Sequence, residues 1–138
     1  MSENFVLDSC AVIAYINGEQ GCDIVQRILM NGEIGNASIS MHKLNLLEVY
    51  YDTMRSSGEA NAQDIVDMIN ESPVEVISYI SDAVFKEAGR LKVAYKMSLA
   101  DSVALAEAFT RNAAIVTADH HEFDIIERSE PIAFQWIR

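Results

Sequence analysis

The chain has few basic residues and only two cysteines, and each shortage argues against a class of protein. Ten lysine and arginine residues stand against twenty-one aspartate and glutamate residues, so the formal net charge of the 138 residues is −11. A protein that coats nucleic acid needs a basic surface to displace the counterions of phosphates, so that class is disfavoured. Cys10 and Cys22 do not have Cys-x-x-Cys spacing and are typical of reduced residues in apolar helices.

Long apolar segments are also missing. The longest unbroken apolar run, Cys10 to Ile16, is far shorter than the ~20 residues that cross a bilayer. The first residues, Met1 to Asn4, lack the basic start of a secretory signal. We therefore expect a soluble, cytoplasmic protein without membrane association. Half of the residues are hydrophobic, which is enough for one conventional core, and we expect a single domain over residues 1–138.

The spacing of apolar residues alternates between the periods of strands and helices. It predicts strands at residues 5–7, 37–40, 74–77, 114–117 and 132–136. It predicts helices at residues 9–16, 22–30, from 41 to about 57, 60–70, 82–95 and from 98 to about 111. Strands that alternate with helices favour right-handed crossovers. The expected fold is therefore α/β, with a mostly parallel central sheet of four to five strands flanked by helices on both sides.

Four acidic residues lie in apolar surroundings beside these elements, namely Asp8, Glu48, Asp101 and Asp119. Asp8 and Asp119 follow predicted strands, whose carboxyl ends form the ligand-binding edge of an open parallel sheet. If the four met, ionised carboxylates would repel by roughly 3 kcal/mol per pair. Convergence therefore requires protonation or a divalent cation. All-oxygen ligation favours Mg²⁺ or Mn²⁺, and such a site predicts a metal-dependent phosphodiesterase.

Each acid also has a purely structural explanation. Asp8 could cap the helix that follows it, and Asp119 could hold the turn after its strand. Asp101 could complete a capping box with Ser98. Glu48 could be an exposed helix residue. Neither the apolar flanks nor the spacing decides between these explanations and a shared site.

The four acids stand in motifs that occur in order along the chain. They are Phe5-Val6-Leu7-Asp8-Ser9, a helical Leu46-x-Glu48, Ser98-Leu99-Ala100-Asp101-Ser102, and Ile115-Val116-Thr117-Ala118-Asp119 followed by Phe123. This set resembles the acidic motifs of PIN-domain ribonucleases, most closely the VapC-type toxins of prokaryotic toxin–antitoxin pairs. The resemblance spans the whole chain and agrees with its length and element order.

The resemblance implies an Mg²⁺- or Mn²⁺-dependent endoribonuclease that hydrolyses the phosphodiester bonds of single-stranded or structured RNA. It also implies a homodimer and a small antitoxin partner that covers the site. The implied roles are metal binding for Asp8, Asp101 and Asp119, completion of the acidic pocket for Glu48, and supporting hydrogen bonds for Ser9 and Thr117. The apolar helices between residues 41 and 70 are the predicted dimer or antitoxin surface.

The sequence departs from the family pattern at two places. Cys10 stands where such proteins often carry Ser or Asn. The segment from His120 to Phe123 is longer than the common Asp-x-Asp-Phe form, so Glu122 and Asp124 both stay open as a fifth acid.

A receiver domain and a non-catalytic binding module are the alternative functions. A phosphoacceptor receiver domain would carry paired acids after its first strand and a lysine after its last, whereas Asp8 stands alone and no lysine follows residues 114–117. A non-catalytic binding module would use the acids only for structure. A zinc site is disfavoured because the adjacent His120 and His121 point apart and His42 has no Cys or His at ligand spacing.

Four basic residues, Lys86, Arg90, Lys92 and Lys96, fall in one predicted helix and could attract phosphates. Lys86 and Arg90 share a face, but Lys92 and Lys96 lie on a nearly opposite one. A solvated helix explains them at least as well.

Overall fold

The computed structural model describes residues 3–138, which form one five-stranded sheet covered by helices. The strands are β1 (Glu3–Leu7), β2 (Ala37–His42), β3 (Val74–Ile77), β4 (Ala114–Thr117) and β5 (Ala133–Trp136). The helices are α1 (Ser9–Ile16), α2 (Cys22–Glu33), α3 (Lys43–Ser57), α4 (Glu59–Glu71), α5 (Asp82–Ala94), α6 (Leu99–Thr110) and α7 (His120–Ser129). No helix in this described range is long and apolar enough to span a bilayer.

All strand pairs are parallel, and the strands lie side by side in the order β3-β2-β1-β4-β5. The chain thus builds the sheet outward from β1, first to one side and then to the other. The α/β prediction is confirmed, including a parallel sheet with the larger of the two predicted strand numbers. The strand order reverses between β1 and β4, and in open parallel sheets ligands bind at such a switch point, beyond the carboxyl ends of the strands.

Two cores lie on opposite faces of the sheet because successive side chains of a strand point in opposite directions. On β1, Phe5 and Leu7 belong to a core that includes residues of α1, α2 and α3. Val6 belongs to another core, built largely from α6 and α7, in which Phe123 is fully buried. This burial on both faces explains the continuous apolar runs Phe5-Val6-Leu7 of β1 and Ala114-Ile115-Val116 of β4.

The prediction that a helix begins at Met41 is wrong, because β2 continues to His42. Met41 is fully buried and pairs with Val76 of β3. The His42 side chain then accepts a hydrogen bond from the Leu44 N–H at 3.1 Å and so caps α3. The apolar period of α3 does not show where the preceding strand stops.

The prediction that Asn31-Gly32 ends the second helix is also wrong, because α2 continues to Glu33. A Cβ on Gly32 would lie 2.6 Å from the Ile39 side chain and 3.1 Å from that of Pro73. Gly32 is therefore explained by close packing of α2 on β2, not by a helix end. Helix α7 was not among the helices predicted from the sequence.

Candidate acidic site

Asp8 lies where β1 ends and α1 begins, and only 2 % of the residue is exposed. Its Oδ1 accepts a hydrogen bond from the Ala11 N–H at 2.8 Å, so Asp8 does cap α1. The Thr117 hydroxyl also bonds to the carboxylate. The pKa of Asp8 is nevertheless raised to about 7, chiefly by burial and to a smaller extent by the negative charges of Asp101 and Asp119, against these hydrogen bonds.

Asp119 lies just beyond the end of β4, and β4 is the strand that pairs with β1 on the side of the switch point. The Asp119 N–H donates to Thr117 Oγ1 at 3.0 Å, and its Oδ1 accepts from the Glu122 N–H at 3.1 Å. Asp119 therefore caps α7 as Asp8 caps α1. In each case the cap is made by one oxygen of the carboxylate, Oδ1.

Asp101 lies in the first turn of α6 and is half-buried. Ser98 caps this helix by accepting a hydrogen bond from the Asp101 N–H at 3.1 Å. The pKa of Asp101 is raised to about 6, first by burial and then by the charge of Glu48, with smaller effects of Asp119 and Glu122. The hydrogen bond from Ser98 to the carboxylate lowers it.

Glu48 lies in the second turn of α3 and completes the group from another side. Burial raises the pKa of its carboxyl, and a hydrogen bond from the Ser9 side chain lowers it. Its Oε1 is buried without a hydrogen-bond partner. A buried polar atom normally has a partner, so this oxygen points to a ligand or to water that the fold does not itself supply.

The structure thus brings together the four acids singled out in the sequence, from four separate places in the chain. Asp8 is affected by the charges of Asp101 and Asp119, and Asp101 by those of Glu48 and Asp119. Two of the capping explanations hold at the same time, since Asp8 and Asp119 accept hydrogen bonds from the N–H groups of Ala11 and Glu122. The roles of these residues in metal binding and catalysis stay predictions.

The two candidates for a fifth acid occupy different surroundings. Glu122 contributes to the raised pKa of Asp101 and therefore lies near the acidic group. Asp124 instead forms an ion pair with His120, with 2.7 Å between its Oδ1 and the ring Nδ1. Of the two, Glu122 is the acid that the structure adds to the site.

Sequence reasoning missed Asn45, which is fully buried one turn before Glu48. Its Nδ2 donates to the Ala100 carbonyl at 3.4 Å, next to Asp101, and its Oδ1 has no partner. Asn45 therefore joins α3 to the start of α6 beneath the acids. A polar residue between Leu44 and Leu46 was the available signal.

The acidic group fits a divalent cation although it is not a closed cage. Among residues 3–138, no three His, Cys, Asp or Glu side chains are arranged so that they could hold a metal ion as they stand. Mg²⁺, however, keeps several waters and commonly binds through one or two carboxylates. The unpartnered Glu48 Oε1 and the raised pKa values of Asp8 and Asp101 are the features that a cation would relieve.

Two of the four basic residues in and beside α5 are engaged within the protein. Arg90 pairs with Glu87 and with Glu130, each at 2.6 Å. Lys92 donates to the Met97 carbonyl at 2.7 Å. These contacts favour the structural explanation of the α5 cations over phosphate attraction.

Comparisons with known proteins agree with the fold. The family model of the PIN domain matches residues 5–128. No curated protein sequence is similar enough to the chain to count as a match.

Several solved structures share the fold at low sequence identity. The DNA-bound VapBC of Salmonella typhimurium has 18% identity and a TM-score of 0.75, with 100% of both chains covered. VapBC2 of Rickettsia felis, bound to a promoter fragment, has 18% identity and a TM-score of 0.75 over 96% of this chain and 98% of that one. VapC20 of Mycobacterium tuberculosis, a toxin that cleaves the sarcin-ricin loop, has 14% identity and a TM-score of 0.64 over 92% and 95%.

Proposed function

The chain belongs to the PIN domain family, and from this premise we propose that it is a metal-dependent endoribonuclease acting on single-stranded or structured RNA. The observation that carries the proposal is a group of buried and half-buried acids with no lysine or arginine paired to Asp8 or Asp101. Burial and neighbouring acids raise the pKa of Asp8 and Asp101, and no lysine or arginine is among the main influences on either. Leaving such charges unpaired costs a domain several kcal/mol, which a bound cation offsets.

In this proposal Asp8, Asp101 and Asp119 would hold Mg²⁺ or Mn²⁺, partly through waters that the ion keeps rather than through three direct carboxylate contacts. When bound, the ion polarises the phosphate and makes water more acidic. Glu48 accepts a proton from the attacking water at its unpartnered Oε1, and its raised pKa suits that role. Thr117 orients Asp8, while burial excludes bulk water from around the carboxylates.

We further propose that the protein is the toxin of a toxin–antitoxin pair, is homodimeric and acts in the cytoplasm. The support is fold similarity to VapBC proteins and an exposed apolar surface between residues 41 and 80. The exposed side chains of this surface are Leu47, Tyr51, Met54, Met68, Tyr79 and Ile80. Clustered apolar side chains of this kind mark protein interfaces. Elution of the purified chain as a monomer would count against the dimer.

The test is cleavage of a panel of RNAs by antitoxin-free protein with Mn²⁺ or with a chelator. We expect cleavage with Mn²⁺ only. Asp8→Asn should lower the rate at least about 10³-fold, because several kcal/mol of electrostatic stabilisation are lost. Asparagine caps helices as well as aspartate does, so α1 is preserved.

The matched control is Glu107→Gln, which neutralises a buried acid of α6 that pairs with Arg111 instead. Its cleavage rate per folded molecule should equal that of the unaltered protein. Intact RNA after incubation of the unaltered protein with Mn²⁺ would overturn the proposal.

A further inference from the structure

Three aromatic rings form a column beside the acidic group. The rings of His120 and Trp136 stack with centroids 3.7 Å apart and an angle of 11°. Phe134 continues the column, with its centroid 5.3 Å from that of Trp136 at an angle of 16°. His120 directly follows Asp119, and Trp136 of β5 pairs in register with Thr117, which contacts Asp8. The column therefore lies at the same edge of the sheet as the acids.

Both edges of the His120 ring are held in place. Nδ1 lies 2.7 Å from Asp124 Oδ1, and Nε2 lies 2.7 Å from the backbone oxygen of Arg138. These two contacts engage both ring nitrogens and hold the ring flat against the face of Trp136.

His120 is the most exposed ring of the column, because Phe134 and Trp136 are only partly exposed. Its side chain is 48% exposed although Trp136 covers one face and both edges are bonded. Because no ring N–H is left over, this surface cannot donate hydrogen bonds to a phosphate. It can only stack. The usual explanation of an aromatic cluster, a core contact, does not apply to a ring that ends half-exposed.

We propose that the free face of His120, backed by Trp136, is a stacking platform for a nucleobase of the RNA beside the cleaved bond. This proposal rests on the proposed function and specifies how the substrate is held. A chain with a net charge of −11 gains little from general phosphate attraction. Stacking tolerates that charge and any base sequence, because every base has a flat face.

The experiment is a double-mutant cycle between the protein and the RNA. A cleavable oligonucleotide is compared with versions that carry one abasic nucleotide at successive positions around the cleaved bond. Each version is cut by the unaltered protein and by His120→Ala. Loss of the ring, or of the base at one position, should each lower kcat/KM about 5- to 150-fold, as expected for one stacked base. The two losses together should be no larger than either alone.

Two further variants separate stacking from a structural role. His120→Phe keeps a flat ring against Trp136 but gives up both hydrogen bonds, and it should stay within about 3-fold of the unaltered protein if stacking is the function. Phe109→Ala removes another exposed aromatic, in the last turn of α6, and should show no coupling to any base. Losses that simply add, or His120→Phe as impaired as His120→Ala at equal Tm, would overturn the platform.

Failure of the proposed function gives a different result. Trp136 is the only tryptophan, so its fluorescence reports on this site alone. If the protein cuts no RNA yet Trp136 responds to intact and not to abasic oligonucleotides, the platform stands and the nuclease does not. If cleavage is normal and no abasic position changes its rate, the nuclease stands and the platform does not.

Discussion

Two buried acids in this molecule solve the same electrostatic problem in opposite ways. Glu107 of α6 is 3% exposed, as deeply buried as Asp8. Its Oε1 lies 3.1 Å from Arg111 Nε, and its Oε2 lies 3.8 Å from His42 Nε2. Asp8 has hydrogen bonds and acidic neighbours but no such cation, and its pKa rises to about 7. The fold pairs Glu107 with Arg111 but gives Asp8 no cation. Only Asp8 therefore bears the full energetic cost of a buried negative charge.

Glu130 is a third acid for which the presence of a cation can be compared. Arg90 and Tyr95 both bond to its carboxylate, and they lower its pKa. Unpaired buried charge is therefore not a general property of this acidic protein. Within residues 3–138, the carboxyl groups with a raised pKa are those of Asp8, Glu48 and Asp101, as a site for an external cation requires.

The largest expected effect is on the pH dependence of stability without metal. The ordinary pKa of Asp8 is 3.8, and its pKa in the folded protein is about 7, so the folded state binds the proton more tightly. The resulting stability is fully present below pH ~4 and is lost as the pH rises through ~7, by up to about 4 kcal/mol. Urea unfolding in a chelator between pH 4.5 and 8 measures this decline. Asp8→Asn should remove it, and equal slopes for both proteins would contradict the uncompensated charge.

The next effect is expected at the neutralised acid. Glu107→Gln leaves Arg111 without its partner and should destabilise the protein by about 2–3 kcal/mol, at the low end for a buried pair because Arg111 is partly exposed. Urea unfolding at pH 7 measures the loss. In contrast to Asp8→Asn, this variant keeps the buried Asp8 carboxyl, so the decline in stability that Asp8 causes toward pH 8 should remain. An unaltered unfolding free energy would show that pairing at Glu107 is not what distinguishes the two regions.

Added Mn²⁺ should stabilise only the region that lacks a cation. At a metal concentration 100 times its Kd, mass action predicts about 2.7 kcal/mol. The increase in Tm should shrink below pH 7, because protons compete for Asp8. Glu107→Gln should keep the increase and Asp8→Asn should lose it. No increase in the unaltered protein would favour acids that serve structure alone.

The smallest effect is expected at Glu130. Tyr95→Phe removes a hydroxyl that donates to Glu130 Oε2 at 2.7 Å, while Arg90 stays in place. The loss should be about 1 kcal/mol, the usual value for one such hydrogen bond. Calorimetry measures this loss. The increase in Tm on adding Mn²⁺ is the control, and it should be the same for Tyr95→Phe and the unaltered protein.

The sequence predicted the sheet and the position of Asp8 and Asp119 at one edge of it, because both acids directly follow apolar strands. Apolar strands end at Asp8 and Asp119, and parallel strands place their carboxyl ends at one edge. The start of α3 was mistaken because it depends on the His42 side chain, and capping by histidine leaves no mark in the apolar period.

The remaining parts of the site depend on tertiary packing. The direction of α7 decides that Glu122 rather than Asp124 joins the acids. The stack of His120 on Trp136 comes from the pairing of β4 with β5, which joins residues distant in sequence. Neither follows from the pattern of a single element.

The caps formed by Asp8 and Asp119 also constrain how the protein can change over time. Each of these side chains starts a helix with the same carboxyl group that contributes negative charge to the site. A descendant that lost the chemistry by drifting to alanine would also fray a helix, at about 1 kcal/mol per cap. Drift to asparagine avoids that penalty, so inactive relatives of this chain should carry Asn at these positions more often than Ala.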